Sequence, residues 1–276
     1  MSLPSQKNYE TGSNFKPAFF FLNKNQRFAL SNVYAYCRIV DDIADDLNTP
    51  QKTKEQELNS WALEIENTYK NEPSFPVTEN LLKAINDFNL KKEHFILILD
   101  GMKMDMSKNE YQSFDELKSY MYRVASAVAF ICLDIFGYTG VNSGKYSENI
   151  GYALQTTNIV RDVFEDVKLN RIYIPAEDMK KFGVTKKDLN DLTYSDNFIE
   201  LMKFEAARAR SYYDSLDEFT DPAKKKKLLP LMIMAELYKA ILDKIEKSNF
   251  KSLKYKTKLN SFEKMKAIYK AWRKSC

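Results

Sequence analysis

Apolar residues recur at a spacing close to 3.6 along most of this chain, which is the period of an amphipathic α-helix. Strand-like alternation is scarce, and the seven glycines and eight prolines fall mostly between the periodic stretches. The pattern predicts an all-α protein with helices at 24–46, 53–70, 78–88, 92–106, 113–136, 145–168, 197–218, 222–247 and 261–273.

The predicted loops have the expected composition. They are "NTP" at 48–50, "NEPSFP" at 71–76, "GYTGVNSG" at 137–144 and "NRIYIPAED" at 170–178. No stretch has the composition of an interdomain linker, and no internal repeat is visible. We therefore predict a single helical domain over residues 1–276, which is long enough to bury a large core.

Charge changes this picture little. The 42 basic and 38 acidic residues leave a formal charge of +4, which is too even to indicate nucleic-acid binding, so no nucleic-acid partner is expected. The one dense basic run, "AKKKKLL" at 223–229, is interpreted as the solvated start of a helix in preference to a contact with anionic lipid.

Cysteine usage and apolar run lengths bear on localisation. Cys37, Cys132 and Cys276 are odd in number and lack metal-type spacing, which is typical of a reducing cytoplasm. The polar opening "MSLPSQKNYETGSN" has no apolar signal-peptide core. The longest apolar run, 124–133, is about half the roughly 20 residues that span a bilayer. We expect a cytoplasmic protein, with peripheral contact at the inner face of the membrane left open.

The stretch "YAYCRIVDDIADD" at 34–46 crowds four carboxylates beside apolar positions that keep a helix on the core. Asp41 and Asp45 are spaced i,i+4, as are Asp42 and Asp46, so each pair lies on one helix face. Like charges at that spacing destabilise a helix by a few tenths of a kcal/mol. A hard divalent cation would compensate, and Mg²⁺ is typically held by one or two carboxylates together with substrate phosphates.

A second acidic helix follows more than a hundred residues later, in "NIVRDVFEDVKLNRIYIP". Asn158, Asp162 and Asp166 fall at i, i+4 and i+8 and line one face, with Arg161 and Glu165 beside them. If the two acidic helices face one another across a cavity, they can hold Mg²⁺ ions that bind a diphosphate. That arrangement suits loss of diphosphate from an allylic carbon to give a carbocation.

Other chemistries find little support. His94 is the only histidine, so the sequence does not favour a Ser–His–Asp triad or a histidine-rich zinc site, and we interpret His94 as a surface or packing residue. There is no P-loop and no dinucleotide fingerprint. The eighteen Phe and seventeen Tyr suit a site that stabilises a buried cation with aromatic faces and binds isoprenoid chains by burial.

These residues resemble the squalene/phytoene synthases, which join two prenyl diphosphates head to head. The likeness runs over about 15–272. Its most specific parts are "YAYCRIVDDIADD", "DGMKMDM" at 100–106, "YMYRVASAVAFICLDIFG" at 120–137 and "ALQTTNIVRDVFEDVKLNRIYIP" at 153–175. The resemblance implies an isoprenoid synthase-type helical bundle around a central cavity. It also implies ionisation of one substrate and alkylation by the other to a cyclopropylcarbinyl diphosphate, followed in many members by rearrangement.

The resemblance also assigns roles to individual residues. The implied catalytic residues are Asp41, Asp45, Asp162, Asp166, Tyr34, Tyr120 and Tyr173. The implied substrate-binding residues are Arg38, Gln155, Asn158, Arg161, Arg171, Phe15, Val124 and Val128. The metal ligands are Asp41, Asp45, Asn158, Asp162 and Asp166. The implied cofactor is Mg²⁺, with Mn²⁺ as a substitute; NADPH is left open, and so is the oligomeric state.

Three positions depart from the family pattern. Asn14 stands where a second Ser is expected, Asn23 where Pro is common, and Ala129 where the usual Gly closes "RVASAVA". Ala129 adds a methyl group where two helices or a substrate approach closely. These departures leave the metal chemistry intact and bear on substrate fit.

Several identities compete. "YRVASAV" and "ALQTTNIVRD" look most like bacterial presqualene diphosphate synthases, which use two farnesyl diphosphates; phytoene synthases, which use two geranylgeranyl diphosphates, come second. Head-to-tail synthases carry a second DDxxD that "RDVFED" does not match, and terpene cyclases lack the "RIYIP" continuation. A non-catalytic scaffold with the same fold is the alternative from another class, although both acidic sets are complete here.

Overall fold

Residues 16–275 are described by the computed structural model, and within that range the chain forms thirteen α-helices and no β-strand. A single parallel bridge joins Glu110 and Ile172. The helices are α1 Lys16–Phe19, α2 Lys24–Asp45, α3 Gln51–Tyr69, α4 Pro76–Phe88, α5 Lys92–Ser107, α6 Phe114–Met121, α7 Ala127–Phe136, α8 Ser143–Lys168, α9 Ala176–Lys181, α10 Lys186–Asn190, α11 Asp196–Asp214, α12 Leu229–Lys247 and α13 Ser261–Ser275. The all-α prediction is confirmed.

The predicted long helices are all present, but three of them contain turns of a different pitch. A π turn, Tyr122–Ser126, separates α6 from α7, while 3₁₀ turns at Ser215–Phe219 and Pro222–Leu228 replace the predicted end of α11 and start of α12. The short helices α1, α9 and α10 were not predicted, because four to six residues are too few to show a helical period. The predicted loop at 170–178 ends early, since α9 begins at Ala176.

The π turn lies between two close helix contacts. Gly151 of α8 faces it, and a Cβ placed there would lie 2.6 Å from the backbone of Ser126. Gly101 of α5 faces it from the other side, where an added Cβ would collide with the Val124 side chain. π turns are frequent at functional sites. Here the two glycines let α5 and α8 approach the turn closely and fix its position.

The core is built around α8, which contacts the π turn, α7, α11 and α12. On the other side of the π turn, α5 contacts α2 and α3. The buried apolar residues of the described range form one cluster. That residues 1–276 make one domain stays a prediction, because residues 1–15 and Cys276 lie outside the described part.

One continuous helical stretch, Phe114–Phe136, is long and apolar enough by length and composition to cross a membrane. It exceeds the ten-residue run recognised in the sequence because the π turn continues the helix between α6 and α7. Over half of its most apolar window, 56%, is buried inside the fold. More than half of that window is therefore covered by the rest of the fold.

The lysine run at 224–227 was interpreted as a solvated helix start, but two of its lysines make hydrogen bonds to another segment. It forms the 3₁₀ turn Pro222–Leu228, in which Lys227 Nζ donates to the carbonyl of Gly137 at 2.7 Å, and Lys224 donates to that of Thr139. Both acceptors follow α7, so these lysines satisfy carbonyls beyond the C-terminal end of that helix. The sequence did not reveal this pairing, because it joins segments about ninety residues apart.

Cys37 and Cys132 are free thiols, as the sequence indicated, while Cys276 lies outside the described residues. Burial raises the pKa of both thiols to about 12. The ring of His94 stacks on Phe130 with centroids 4.9 Å apart, so its predicted role as a packing residue is confirmed.

Candidate active site

The first acidic motif occupies the last two turns of α2. Arg38 donates to Asp41 Oδ2 and to Asp42 Oδ1, both at 2.6 Å, because residues three and four apart meet on one helix face. Burial and the neighbouring Asp45 raise the pKa of Asp41 to about 6. Asp46 leaves this group and accepts hydrogen bonds from Thr49 Oγ1 and the backbone of Asn48 beyond the helix end.

Arg171 joins this motif to the second. Its Nη1 lies 2.6 Å from Asp45 Oδ1, and its side chain is only 14% exposed. The guanidinium also opposes the raised pKa values of Asp105 and Asp166, so one cation lies among carboxylates from α2, α5 and α8. The structure thus brings the two predicted acidic helices together at Arg171.

The end of α8 explains how Arg171 reaches that position. The backbone N–H of Arg171 donates to the carbonyl of Asp166 at 2.9 Å, and Asn170 adopts a left-handed conformation with φ of 57°. Such a left-handed residue stops a helix and turns the chain back across its last carbonyls. This turn places the backbone of Arg171 directly beside the last turn of the acidic helix.

The second motif lines α8. Asp162 makes a two-point contact with Arg161, with oxygen–nitrogen distances of 2.7 and 2.5 Å, and Lys256 Nζ lies 3.3 Å from the same carboxylate. Lys256 also pairs with Glu165. Burial and the adjacent Asp162 raise the pKa of Asp166 to about 8. A small cavity borders Asp166, lined also by Ile159, Val163, Val167, Arg171, Ile172, Tyr173, Ile174 and Leu189.

Asn158 completes that face. Its Nδ2 donates to Gln155 Oε1 at 3.2 Å, but its Oδ1 is buried with no hydrogen-bond partner among the described residues. An unpaired buried carbonyl oxygen is costly unless something absent from the structure coordinates it. A cation on the face of Asn158 would supply that partner.

Sequence reasoning missed Asp105 of α5. Its two oxygens accept hydrogen bonds from Tyr120 at 2.7 Å and from Tyr173 at 2.8 Å, and burial raises its pKa to about 6. The rings of Tyr120 and Tyr173 stack at 5.3 Å, and Tyr111 stacks on Tyr173 at 5.9 Å. The available signal was "DGMKMDM", which carries the family resemblance and contains Asp105. The motif also contains Asp100, and the sequence alone does not indicate which of the two aspartates lies in the site.

The remaining predicted residues are spread along the same helices. Tyr34 lies on α2 one turn before Arg38, Gln155 lies on α8 one turn before Asn158, and Val128 lies on α7. Val124 lies in the π turn, with its side chain against Gly101 of α5. Phe15 and Asn14 lie outside the described residues.

The two departures within the described range have local explanations. Asn23 is the N-cap of α2: its side chain accepts from the backbone of Gln26 at 2.9 Å, and Gln26 reciprocates. Proline at this position could supply neither the side-chain oxygen nor the backbone N–H. Ala129 is 4% exposed, so its extra methyl group is buried within the fold.

The donor set fits a hard divalent cation. All five predicted ligands offer oxygen, which is what Mg²⁺ prefers. Burial, and after it a neighbouring carboxylate, raises the pKa of Asp41 and of Asp166. Among residues 16–275, no three acidic, histidine or cysteine side chains are already gathered around one point. Arg38, Arg171 and Lys256 instead pair with the carboxylates.

Comparison with known proteins agrees with this geometry. Residues 10–263 match the sequence profile of the squalene/phytoene synthase family. The chain belongs to that family of head-to-head prenyl diphosphate synthases, whose members are prenyltransferases.

Individual relatives divide between two activities. The chain is 32% identical over 256 residues to presqualene diphosphate synthase of Rhodopseudomonas palustris, covering 92% of this chain and 91% of that one. It is 30% identical over 259 residues to 15-cis-phytoene synthase of a Synechocystis strain, covering 90% and 77%.

Solved structures share the fold. A dehydrosqualene synthase in complex with a ligand superposes with a TM-score of 0.85 at 25% identity, covering 97% of this chain and 94% of that one. A squalene synthase from Alicyclobacillus acidocaldarius gives 0.79 at 26% identity, covering 88% and 91%. The predicted bundle architecture is therefore confirmed.

Proposed function

We propose that this protein condenses two farnesyl diphosphates head to head to presqualene diphosphate, and to squalene where NADPH reduction follows. The observation that carries the proposal is the meeting of α2, α5 and α8 carboxylates around Arg171. The choice of farnesyl chains is supported by the presqualene diphosphate synthase of Rhodopseudomonas palustris, which this chain matches over 91% of that protein's length.

In this proposal, Asp41 and Asp45 hold Mg²⁺ from one side, and Asn158, Asp162 and Asp166 hold it from the other, with Mn²⁺ as a substitute. When bound, the metal would neutralise the charge that develops on the diphosphate as it leaves. Arg38, Arg161 and Arg171 now pair with these same carboxylates, so each is within reach to turn to diphosphate oxygens.

The aromatic cluster gives the other half of the proposed chemistry. The stacked rings of Tyr120 and Tyr173 lie beside the acidic residues, where their faces can stabilise a carbocation without reacting with it. Asp105 accepts hydrogen bonds from the hydroxyl groups of Tyr120 and Tyr173, which fixes the orientation of both rings. We assign Asp105 as a positioning residue and Tyr120 and Tyr173 as catalytic residues. Tyr34, Gln155, Phe15, Val124 and Val128 are proposed to line the substrate path.

Incubation of the full chain with Mg²⁺ and each prenyl diphosphate, with and without NADPH, tests this function. Mass spectrometry should detect presqualene diphosphate, or squalene with NADPH, from farnesyl diphosphate. Phytoene formed from geranylgeranyl diphosphate would support the second candidate, which the Synechocystis relative favours. Absence of diphosphate release from either substrate, under conditions where a relative is active, would overturn the proposal.

Substitutions in the two acidic helices sharpen that test. Asp41→Asn and Asp162→Asn should each abolish turnover and weaken Mg²⁺-dependent substrate binding while leaving the far-ultraviolet circular dichroism unchanged. Asp46→Asn is the matched control at the C-terminal end of α2, because the Asp46 side chain accepts hydrogen bonds from Asn48 and Thr49 in the following turn, and it should retain activity. A scaffold protein would give no Mg²⁺-dependent thermal shift with a prenyl diphosphate analogue.

We also propose a cytoplasmic location with peripheral contact at the inner face of the membrane. Substrate and product carry long isoprenoid chains that partition into lipid. This part of the proposal is independent of which prenyl chain length is used.

A further inference from the structure

The C-terminal helix α13 exposes a continuous apolar stripe. Phe262, Met265, Tyr269 and Trp272 are spaced i, i+3, i+7 and i+10, so they share one face, and they are 72%, 61%, 58% and 48% exposed. The rings of Tyr269 and Trp272 stack with centroids 6.0 Å apart. Scattered exposed apolar residues are normal, but four aligned on one helix mark an interaction surface.

The apolar stripe makes no contribution to the core, because α13 packs on the fold through its opposite face. Ala267 and Ala271 are buried, and α13 packs against α12. Lys244 pairs with Glu263 at 2.9 Å near one end of α13, and Glu236 pairs with Lys274 at 2.6 Å near the other. The two helices are therefore antiparallel, and the ion pairs fix the stripe in its outward orientation.

Unpaired cations flank the stripe. Lys264, Lys266 and Arg273 are exposed, and no carboxylate in the range 16–275 forms an ion pair with them. Helix α13 also contacts the 3₁₀ turn Pro222–Leu228, which carries the exposed Lys226, for which no ion pair is formed within 16–275. The surface thus combines large apolar side chains with excess positive charge.

The size and charge of the surface decide what occupies it. At the roughly 150–250 Å² that large aromatic side chains can bury, the exposed fractions amount to roughly 500 Å². A stable dimer needs about 800 Å² from each partner. A second copy would also bring like charges together. A lipid surface has neither problem, and Trp and Tyr are enriched at membrane–water interfaces.

We propose that α13 lies in the headgroup region of an anionic lipid bilayer. Phe262, Met265, Tyr269 and Trp272 enter the acyl boundary, while the flanking cations face lipid phosphates. Fifteen residues are too few to span a bilayer, which takes about 20. The helix therefore lies in the membrane plane. The proposal gives the peripheral contact suggested above a defined surface, and it rests on α13 rather than on the reaction.

Co-sedimentation of the full chain with vesicles, without substrate, tests the proposal. Vesicles of equimolar phosphatidylcholine and phosphatidylglycerol should bind at least about tenfold more tightly than phosphatidylcholine alone. Tryptophan emission should shift to shorter wavelength on binding. Of the two tryptophans, Trp61 is buried in the core before binding, with only 7% of its surface exposed, so the emission shift reports on Trp272.

Variants separate the stripe from general surface hydrophobicity. The pair Met265→Ser and Trp272→Ser should reduce vesicle binding at least about tenfold. The matched pair Leu47→Ser and Leu63→Ser removes apolar side chains that are 76% and 60% exposed elsewhere, and it should leave binding unchanged. Equal loss in both pairs would overturn the assignment to α13.

Charge reversal tests the anionic component. The pair Lys266→Glu and Arg273→Glu should abolish the preference for phosphatidylglycerol, whereas Lys52→Glu and Lys180→Glu, exposed on α3 and α9, should not. Equal binding of the native chain to both vesicle types would overturn the proposal. So would a dimer in sedimentation equilibrium that the stripe variants dissociate. Because no substrate is present, these failures leave the proposed reaction untouched.

Discussion

The acidic ends of α2 and α8 use the same spacing of oxygen ligands in different surroundings. On α2, the side chains of Asp41 and Asp45 are 36% and 42% exposed, while on α8 Asp162 is 15% exposed and its partner Arg161 is 8% exposed. Burial raises the pKa of a carboxyl group in both motifs, to about 6 for Asp41 and to about 8 for Asp166, but solvent reaches the first motif more than the second. The same i,i+4 spacing of carboxylates thus gives the proposed diphosphate site a more exposed side on α2 and a more enclosed side on α8.

The largest difference should appear as the pH dependence of stability without metal. The pKa of Asp166 is raised from 3.8 to about 8, so the folded protein holds this proton more tightly than the unfolded chain. Stability is therefore lost as pH rises through that window. Asp166→Asn should remove this loss and stabilise the metal-free protein above about pH 8 by a few kcal/mol, with about 6 kcal/mol as the upper bound that the shift sets.

Urea denaturation in a chelator, from acidic to alkaline pH, measures the effect. Asp45→Asn is the comparison on α2. This substitution removes the carboxylate that lies 2.6 Å from Arg171, so it should not raise the free energy of unfolding at alkaline pH. An Asp166→Asn profile parallel to the native profile would show that the two motifs do not differ in this way.

The close packing of α8 should also be measurable. Gly151→Ala places a methyl group 2.6 Å from the Ser126 backbone, which cannot move without displacing the π turn, so we expect a loss of about 2–3 kcal/mol. Gly144→Ala on the same helix meets its nearest neighbour at 3.9 Å and should be neutral or slightly stabilising. Equal effects of the two variants in thermal denaturation would contradict a tightly held α8.

The orphaned oxygen of Asn158 offers a smaller test. Asn158→Ala removes a buried oxygen with no partner at the cost of one 3.2 Å hydrogen bond to Gln155, so the stability of the metal-free protein should change little. Mg²⁺ binding, followed by thermal shift against metal concentration, should weaken about tenfold. Thr156→Ser, a buried hydroxyl on the same helix, is the control and should bind Mg²⁺ as the native chain does. Unchanged Mg²⁺ affinity in Asn158→Ala would remove this residue from the ligand set.

The smallest predicted difference concerns how the two helices begin. Asn23 caps α2 with a reciprocal pair of hydrogen bonds, whereas Asn142 makes no side-chain cap to α8. Asn23→Ala should cost about 1 kcal/mol in urea denaturation, and Asn142→Ala should cost less than half of that. The reverse order would show that α2 depends on its packing and not on its cap.

Prediction from sequence succeeded where the signal was local. The long helices and the shared faces of Asp41 with Asp45 and of Asp162 with Asp166 follow from spacing alone. The pairing of Arg171 with Asp45, across 126 residues, does not. Asp105 was missed for the same reason, since its tyrosine partners are 15 and 68 residues away.

The sequence by itself determined the helical class, the two oxygen-ligand faces and the family resemblance, because each depends on residues within a few turns of one another. The tertiary structure alone decided that Arg171 lies among carboxylates of three helices, that Asp105 holds two tyrosines, and that α13 leaves its aromatic stripe uncovered. The physical reason is that charge pairing, burial and exposure depend on neighbours brought together by packing, which no local period encodes.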